Sequence, residues 1–353
     1  MMNENTRIIF FGTPKFAVAS LNILVKNGYN IVAVVTAPDK PAGRGLEIKM
    51  PAVKEFAFSK NIKVLQPEKL NNEDFVNQLR EKKPDIGVVV AFRKLPEQVW
   101  KMPALGTFNL HASLLPHYRG AAPINWSIIN GEKETGLTTF FLNEEIDTGK
   151  IIFRVKVNID ENETAGELHD KMMNHGADLV LKTVRAIESG NFTTEVQASF
   201  VSPNKKLKSA PKIFKNDCKI NWEKSIDDIY DFIRGLSPYP TAWTELKNTS
   251  QLSLQGGETI LLKIFKSKKE YAQHEFPIGE IIIGNKCNSS LPIVVPADKQ
   301  DEVKMEKHQL FAKIAVKDGF IYLTEVQLAG RKKMHIEEFL RGFSFDNWKI
   351  ICS

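Results

Sequence analysis

A short stretch of the sequence, FNLHASLLPHYRG (108–120), brings together side chains that can act on a carbonyl carbon. Asn109 and His111 are two residues apart, so on a β-strand they point to the same side. From there an amide N–H and an imidazole N–H can both reach one developing oxyanion, and the imidazole can also handle the proton that an attacking amine releases. We therefore expect Asn109 and His111 to form the reacting edge of a site.

Asp147, in the segment EEIDTGKI, is the candidate for the group that orients this imidazole. It lies in a glycine-bounded loop ahead of an apolar segment, from which a carboxylate can return to the same cleft, and a carboxylate beside an imidazole favours the charged ring. Each of the three residues also has an ordinary structural role, as a turn former or a buried hydrogen-bond partner. Their joint occurrence is what favours catalysis.

Other kinds of catalytic site have no signature in the chain. The sequence contains no His-x-x-x-His or cysteine cluster, no G-x-S-x-G turn and no G-x-x-x-x-G-K-[ST] phosphate loop. Gly12-Thr13-Pro14 follows the first apolar run but does not match the dinucleotide fingerprint. We therefore expect neither a metal site nor a nicotinamide cofactor.

The segment TAPDKPAGRGLEIKMP (36–51) is a second unusual region, because Pro38 and Pro41 stiffen its first half and it presents Arg44 between Gly43 and Gly45, with Lys40 nearby. A long basic loop of this kind suits the phosphates or the terminal pairs of an RNA helix. A solvated crossover loop is the alternative.

Basic residues also cluster between positions 201 and 220, where six lysines stand against one aspartate, and the chain has a formal net charge of +6. Lys205, Lys206 and Lys208 are the candidates for contacts with nucleic-acid phosphates. A solvated linker explains the same composition equally well.

The order of apolar segments predicts two domains in this chain of 353 residues. Over residues 1–190 short apolar strands alternate with amphipathic helices, which is typical of a parallel sheet covered on both faces, although GLTTFFL (136–142) alternates like an antiparallel strand. A long helix is predicted over 165–189. Residues 191–219 have the composition of a linker, and 220–353 contain short strands separated by turns, as in a small β-barrel or sandwich.

Three cysteines lie far apart in the sequence, so we expect no disulfide framework and a reducing, cytoplasmic compartment. The apolar run near the N-terminus is too short for a signal peptide or a membrane span. Nothing in the sequence calls for more than a monomer.

FNLHASLLPHYRGAAPINW followed by EEIDTGKI resembles the active-site signature of the folate-dependent formyltransferases. The segments RIIFFGTPKFA, TAPDKPAGRG and QLAGRKKM are similar to those of the members that act on methionyl-tRNA. The resemblance implies a Rossmann-like α/β N-terminal domain with a mostly parallel sheet, a basic linker and an OB-like C-terminal β-barrel that binds tRNA. It implies transfer of a formyl group from 10-formyltetrahydrofolate to the α-amino group of initiator methionyl-tRNA.

The resemblance assigns roles to individual residues. Asn109, His111 and Asp147 correspond to the catalytic residues, and the Arg44 loop to the one that enters the tRNA acceptor stem. Ser113, Leu114, Leu115 and Pro116 correspond to the segment used against the folate.

The sequence departs from the family pattern at AFRKLPEQVW (91–100), which is one residue shorter and carries Phe92, Arg93 and Lys94 where the family has a tyrosine, a glycine and an apolar residue. The added positive charge faces either the polyglutamate tail of the folate or the solvent.

Two other functions stay open at this point. One is a formyltransferase acting on an amino-sugar nucleotide, which would need neither the basic segment nor the outreaching loop. The other is a non-catalytic RNA-binding protein on the same scaffold, which would tolerate changes at Asn109 or Asp147. No catalytic step is assigned to His117, Tyr118 or Arg119.

Overall fold

The computed structural model describes residues 6–42, 47–201, 206–249, 258–286 and 309–351. Contacts within the chain divide it into two compact units. Residues 1–127 and 132–212 form the first, and residues 128–131 and 213–353 form the second. Within the described ranges, no helix is long and apolar enough to cross a membrane.

The first unit contains a seven-stranded sheet and several helices. The strands of this unit, which include those of two smaller strand pairs, are β1 (Arg7–Gly12), β2 (Asn30–Val35), β3 (Lys40–Ala42), β4 (Glu47–Lys49), β5 (Val64–Leu65), β6 (Ile86–Val90), β7 (Thr107–His111), β8 (Arg119–Gly120), β9 (Glu134–Phe141), β10 (Ile151–Asn158) and β11 (Ser209–Ala210). The helices are α1 (Lys15–Lys26), α2 (Ala52–Ser59), α3 (Glu73–Glu81), α4 (Glu97–Trp100), α5 (Pro123–Ile129), which ends in the second unit, and α6 (Ala165–Ser189).

The main sheet has the strand order β10-β9-β7-β6-β1-β2-β5. Strands β5, β2, β1, β6 and β7 run parallel, whereas β9 is antiparallel to both of its neighbours, as the alternation in GLTTFFL predicts. Successive residues Ile8, Ile9, Phe10 and Phe11 of β1 are all at most 1% exposed. Since neighbours on a strand point to opposite faces, both faces of the sheet are covered. The predicted, mostly parallel α/β sheet is confirmed.

Helix α6 occupies the residues predicted for it because its two ends carry clear signals. Thr164 and Glu167 form a capping box, in which each side chain accepts a hydrogen bond from the other residue's backbone N–H. Gly190 ends the helix with a φ of 68°, which glycine adopts without a steric cost. The helix packs against α1 and β9.

The basic segment 36–51 contains a short hairpin in place of the expected irregular loop. Strand β3 pairs antiparallel with β4, with Lys40 opposite Lys49. The tip of this hairpin, with Gly43, Arg44 and Gly45, lies outside the described residues.

The second unit is an antiparallel sheet curled into a half-barrel, in agreement with the predicted OB-like class. Its strands are β12 (Ala242–Asn248), β13 (Thr259–Tyr271), β14 (Ile281–Lys286), β15 (Gln309–Val316), β16 (Gly319–Leu328), β17 (Met334–His335) and β18 (Trp348–Ile350), with the helices α7 (Ile226–Leu236) and α8 (Ile336–Gly342). The strand order is β14-β15-β16-β13-β12-β18, and β17 pairs with β16. Helix α7 packs its apolar face against β13.

Part of the segment 191–219 is folded rather than extended. A 3₁₀ helix spans Gln197–Phe200, and β11 pairs parallel with β8. Just before the 3₁₀ helix, Glu195 forms an antiparallel bridge with Ile151 at the start of β10. Residues 191–212 therefore lie within the first unit, and the predicted division at 190 and 219 stays a prediction.

Candidate active site

A cavity of about 690 Å³ opens beyond the carboxyl ends of β6 and β7, where parallel α/β sheets place their ligands. Its polar lining includes Asn109, His111 and Asp147, so the structure brings together the three residues selected from the sequence. Its apolar lining includes Phe16, Phe92, Leu110, Leu142 and Ile146.

Asn109 and His111 lie on β7, which is flanked by β6 on one side and β9 on the other. Their spacing of two residues places both side chains on the side of the strand that meets the cavity. In the described part of the chain, the side-chain amide of Asn109 makes no hydrogen bond, so its N–H groups are available to a ligand.

The imidazole of His111 is 7% exposed and its orientation is fixed by the backbone of the following loop. Its Nε2 lies 2.8 Å from the carbonyl oxygen of Tyr118. Because a carbonyl oxygen can only accept, Nε2 carries the proton in the neutral ring. The other nitrogen, Nδ1, lies 3.9 Å from Oδ2 of Asp147 and is the one available for proton transfer.

The loop that carries Asp147 is held close to this imidazole. Asp147 has a φ of 55°, and its Oδ2 accepts a hydrogen bond of 3.1 Å from the backbone N–H of Gly120. Two residues later, a Cβ on Gly149 would lie 1.7 Å from the carbonyl oxygen of Phe141. Only glycine permits so close an approach, and it lets the loop turn back onto β9.

Ser113, Leu114, Leu115 and Pro116 are not among the described residues that line the cavity. Ser113 is fully buried, and its hydroxyl donates to the carbonyl of His117 at 2.7 Å. Leu115 belongs to a small apolar cluster with Phe140 and Ile151. These contacts shape the loop after β7, and a role for the segment in folate binding stays a prediction.

The three residues left without a role in the sequence support the same loop. The hydroxyl of Tyr118 donates to Glu132 at 2.6 Å, and its backbone N–H donates to the carbonyl of Lys208 at 2.6 Å. The imidazole Nδ1 of His117 lies 3.4 Å from the backbone nitrogen of Lys208. The guanidinium of Arg119 donates to the side-chain oxygen of Gln197. Sequence reasoning missed Gln197, which lies in the segment with linker composition.

The shortened turn after β6 forms one wall of the cavity. Phe92 contacts the ring of Phe11, with ring centroids 5.9 Å apart. The guanidinium of Arg93 donates to the backbone carbonyls of Pro67 and Glu68, at 2.7 Å for Glu68. Arg93 therefore ties this turn to a neighbouring loop, and Lys94, which is exposed like Arg93, adds a second cation to the wall.

The predicted nucleic-acid contacts are only partly within the described ranges. Lys40 and Lys206 are exposed, as a phosphate contact requires, whereas Lys205 lies outside these ranges, as does the hairpin tip. The ammonium group of Lys208 forms an ion pair of 2.6 Å with Glu132. Among the described residues, no group of three or more His, Cys, Asp or Glu side chains could hold a metal ion.

Comparison with known proteins identifies the family. The family profile described as formyl transferase matches residues 6–184, and the one described as formyl transferase, C-terminal domain, matches residues 212–344. This chain belongs to the formyl transferase family. The matched region contains β6, β7 and the Asp147 loop, so the cavity lies in the family's shared domain.

Two curated relatives extend over almost the whole chain. A methionyl-tRNA formyltransferase of Bacteroides thetaiotaomicron is 48% identical over 351 residues, covering 99% of this chain and all of the relative. One of Flavobacterium johnsoniae is 46% identical over 344 residues, covering 98% of each.

Solved structures share the fold at lower identity. An N-formyltransferase from Helicobacter canadensis, in complex with folinic acid and dTDP-3-aminofucose, is 21% identical with a TM-score of 0.57, covering 93% of this chain and all of that one. HypX from Aquifex aeolicus, in complex with tetrahydrofolic acid, is 17% identical with a TM-score of 0.56, covering 97% of this chain and half of that one. At these identities the likeness concerns the fold alone.

Proposed function

We propose that this formyl transferase moves a formyl group from 10-formyltetrahydrofolate to the α-amino group of methionine on initiator tRNA. The observation that carries the proposal is the convergence of Asn109, His111 and Asp147 on one cavity. The two full-length relatives, both named methionyl-tRNA formyltransferase, support the choice of acceptor. The product would be N-formylmethionyl-tRNA for translation initiation.

The cavity is compatible with a folate. Its volume lies in the range of small-molecule sites, and Phe92, Leu142 and Ile146 offer apolar surface to flat rings. Lys94 is an exposed cation of the wall, and we propose that it meets the carboxylates of the folate tail, the first of the two roles considered for the charge in this turn. The bound folate would supply the activated formyl group.

His111 handles the proton in the proposed reaction. As the amine nitrogen bonds to the formyl carbon, Nδ1 of His111 takes the proton that this nitrogen gives up. The charged ring then faces the carboxylate of Asp147, which stabilises it across 3.9 Å. His111 gives the proton to the leaving nitrogen of the donor as the bond from that nitrogen to the formyl carbon breaks, so the ring is neutral again at the end.

Asn109 stabilises the negative charge that develops on the formyl oxygen. Its side-chain N–H groups make no hydrogen bond within the described part of the chain, and the cavity wall holds them on the same side as His111. A donor that is already in place and needs no rearrangement is effective at this step.

Selection of the tRNA is assigned to basic residues outside the cavity. Lys40 and the Arg44 hairpin are proposed to contact the acceptor stem, and Lys205 and Lys206 to contact phosphates. Lys208 is a weaker candidate because its ammonium group is paired with Glu132. We propose that the protein acts as a monomer in the cytoplasm, with the tRNA and the folate as its partners.

The amino-sugar nucleotide alternative has weaker support. The solved sugar formyltransferases are about 21% identical, whereas the relatives at 46–48% identity carry the methionyl-tRNA name. A non-catalytic role is disfavoured because all three reacting positions are filled and meet at one cavity.

The proposal is tested by measuring formyl transfer from 10-formyltetrahydrofolate to methionyl initiator tRNA, to methionyl elongator tRNA and to an amino-sugar nucleotide. We expect rapid transfer to the initiator tRNA, slow transfer to the elongator tRNA and none to the sugar. Transfer to the sugar alone would establish the alternative enzyme. An absence of transfer to any of the three acceptors would refute the proposal.

A further inference from the structure

Gln197 is a buried polar residue beneath the proposed active site, and it makes hydrogen bonds with two different loops. Gln197 is the first residue of the 3₁₀ helix and is 4% exposed. Its Nε2 donates to the carbonyl oxygens of Asp147 and Gly149, at 2.9 and 3.0 Å. Its Oε1 accepts from Nε and Nη2 of Arg119, at 3.1 and 2.5 Å. Both hydrogens and both lone pairs of the amide are thus used.

The backbone around Gln197 is held by contacts other than those of its own side chain. Glu195 exchanges two backbone hydrogen bonds with Ile151 of β10, at 2.8 and 2.9 Å. Phe200 packs on the apolar cluster that contains Ile151, and the guanidinium of Arg154 lies 4.2 Å from the centre of the Phe200 ring. Strand β10 and the apolar cluster therefore fix the position of the 3₁₀ helix, and with it the position from which the Gln197 side chain contacts both loops.

The residues that Gln197 holds are adjacent to those that set His111. Arg119 lies between Tyr118, whose carbonyl accepts from Nε2 of His111, and Gly120, whose N–H donates to Oδ2 of Asp147. Gln197 holds Asp147 itself by a hydrogen bond to the Asp147 carbonyl oxygen. The backbone of Asp147 has a φ of 55°, a conformation that residues other than glycine rarely adopt. Gln197 thus connects, through two short chain segments, to both partners of the imidazole.

We propose that Gln197 is a positioning residue that holds the Asp147 carboxylate at its working distance from Nδ1 of His111. Gln197 is not among the described residues that line the cavity, so it acts through Asp147 and Arg119 and not by touching substrate. A misplacement of about 1 Å in a reacting constellation can cost on the order of 100-fold in rate, which sets the size of the expected effect. This inference rests on the proposed catalytic roles of His111 and Asp147.

Two substitutions distinguish the contacts of Gln197 with Arg119 from its contacts with the Asp147 loop. Gln197→Met keeps the approximate volume and removes all the polar contacts. Gln197→Glu keeps an acceptor for Arg119 but places a carboxylate against the carbonyls of Asp147 and Gly149. Ser199→Ala is the matched control, because Ser199 is exposed in the same 3₁₀ helix and, among the described residues, its hydroxyl bonds only to the nearby carbonyl of Val196.

The kinetic test is a double-mutant cycle with Asp147→Asn. We expect Gln197→Met and Gln197→Glu each to lower kcat by about 30- to 100-fold with KM for tRNA within about twofold, and Ser199→Ala to leave kcat unchanged. In the Asp147→Asn background, Gln197→Met should cost less than about threefold, because the group through which it acts is already lost. An equal loss in both backgrounds would overturn the inference, since a merely structural role is additive.

A spectroscopic measurement keeps the test independent of turnover. The imidazole ¹⁵N shifts of His111, assigned by comparison with His111→Ala, should change in Gln197→Met in the same direction as in Asp147→Asn, and should not change in Ser199→Ala. Unchanged His111 shifts in Gln197→Met would overturn the inference whatever the substrate is. A wild-type protein that formylates none of the acceptors would instead refute the proposed function, and the shifts would still decide the role of Gln197.

Discussion

Replacing Asp147 by asparagine removes one charge from the proposed site and changes little else. Oδ1 of the asparagine can still accept the hydrogen bond that Gly120 N–H donates to the carboxylate at 3.1 Å. What is lost is the attraction between the carboxylate and the proton that arrives on Nδ1 of His111 during the reaction.

The distance gives the size of this loss. Two opposite unit charges 3.9 Å apart interact by about 4 kcal/mol at an effective dielectric constant of about 20. That energy corresponds to a rate factor of roughly 1,000. Because the cavity is open to solvent on one side, screening lowers the figure, and we expect kcat to fall by about 100- to 1,000-fold.

The assay is single-turnover formylation with saturating enzyme, combined with a separate measurement of tRNA affinity, which should stay unchanged. Glu144→Gln is the control, because it removes an exposed carboxylate from the same loop and Glu144 does not line the cavity. A loss smaller than about threefold in Asp147→Asn, or an equal loss in Glu144→Gln, would refute the electrostatic role of Asp147.

Two further predictions concern stability. The ammonium group of Lys171 lies 2.8 Å from the carboxylate of Glu163, whose side chain is 7% exposed. Because Lys171→Met leaves this buried carboxylate without its cation, we expect urea titrations to show a free energy of unfolding lower by about 2 kcal/mol. The loss should shrink when Glu163→Gln is added, since the buried charge is then removed as well. In the second unit, a hydrogen bond from the Lys333 ammonium lowers the pKa of Glu325 below its usual value. This pair stabilises the fold above the pKa of the unfolded carboxyl, about 4.3, and the contribution is lost as pH falls through the lower pKa of the folded state. The urea midpoints of the wild type and Lys333→Met should accordingly differ at pH 7 and converge as the pH falls through the lowered pKa of the folded state. A difference that persists unchanged at acidic pH would contradict the assignment.

Much of the N-terminal architecture follows from local signals that the sequence displays openly. Continuous apolar runs such as Ile86–Val90 are required in strands that are buried on both faces. The capping pair Thr164 and Glu167, with Gly190 at the other end, fixes the bounds of the longest helix. The spacing of Asn109 and His111 likewise predicts their common side, since a strand has a period of two.

The parts of the site that could not be predicted depend on contacts between distant segments. Gln197 follows Arg119 by 78 positions and lies in a stretch whose prolines and lysines are typical of a linker. A buried glutamine has no local pattern that distinguishes it from an exposed one, because its burial depends on the loops that close over it. The hairpin of β3 and β4 was missed for a different, local reason, since Pro41 cannot donate a ladder hydrogen bond and disfavours a strand assignment.

The proposed mechanism depends on proton transfer at His111, and the His111→Ala variant removes the group that carries it out. The measurement is the single-turnover rate of formyl transfer to methionyl initiator tRNA, together with the dissociation constant of the tRNA. We expect the variant to react at least about 100-fold more slowly than the wild type, with the tRNA affinity unchanged. A His111→Ala variant that formylates the tRNA at near wild-type rate would contradict the proposed mechanism.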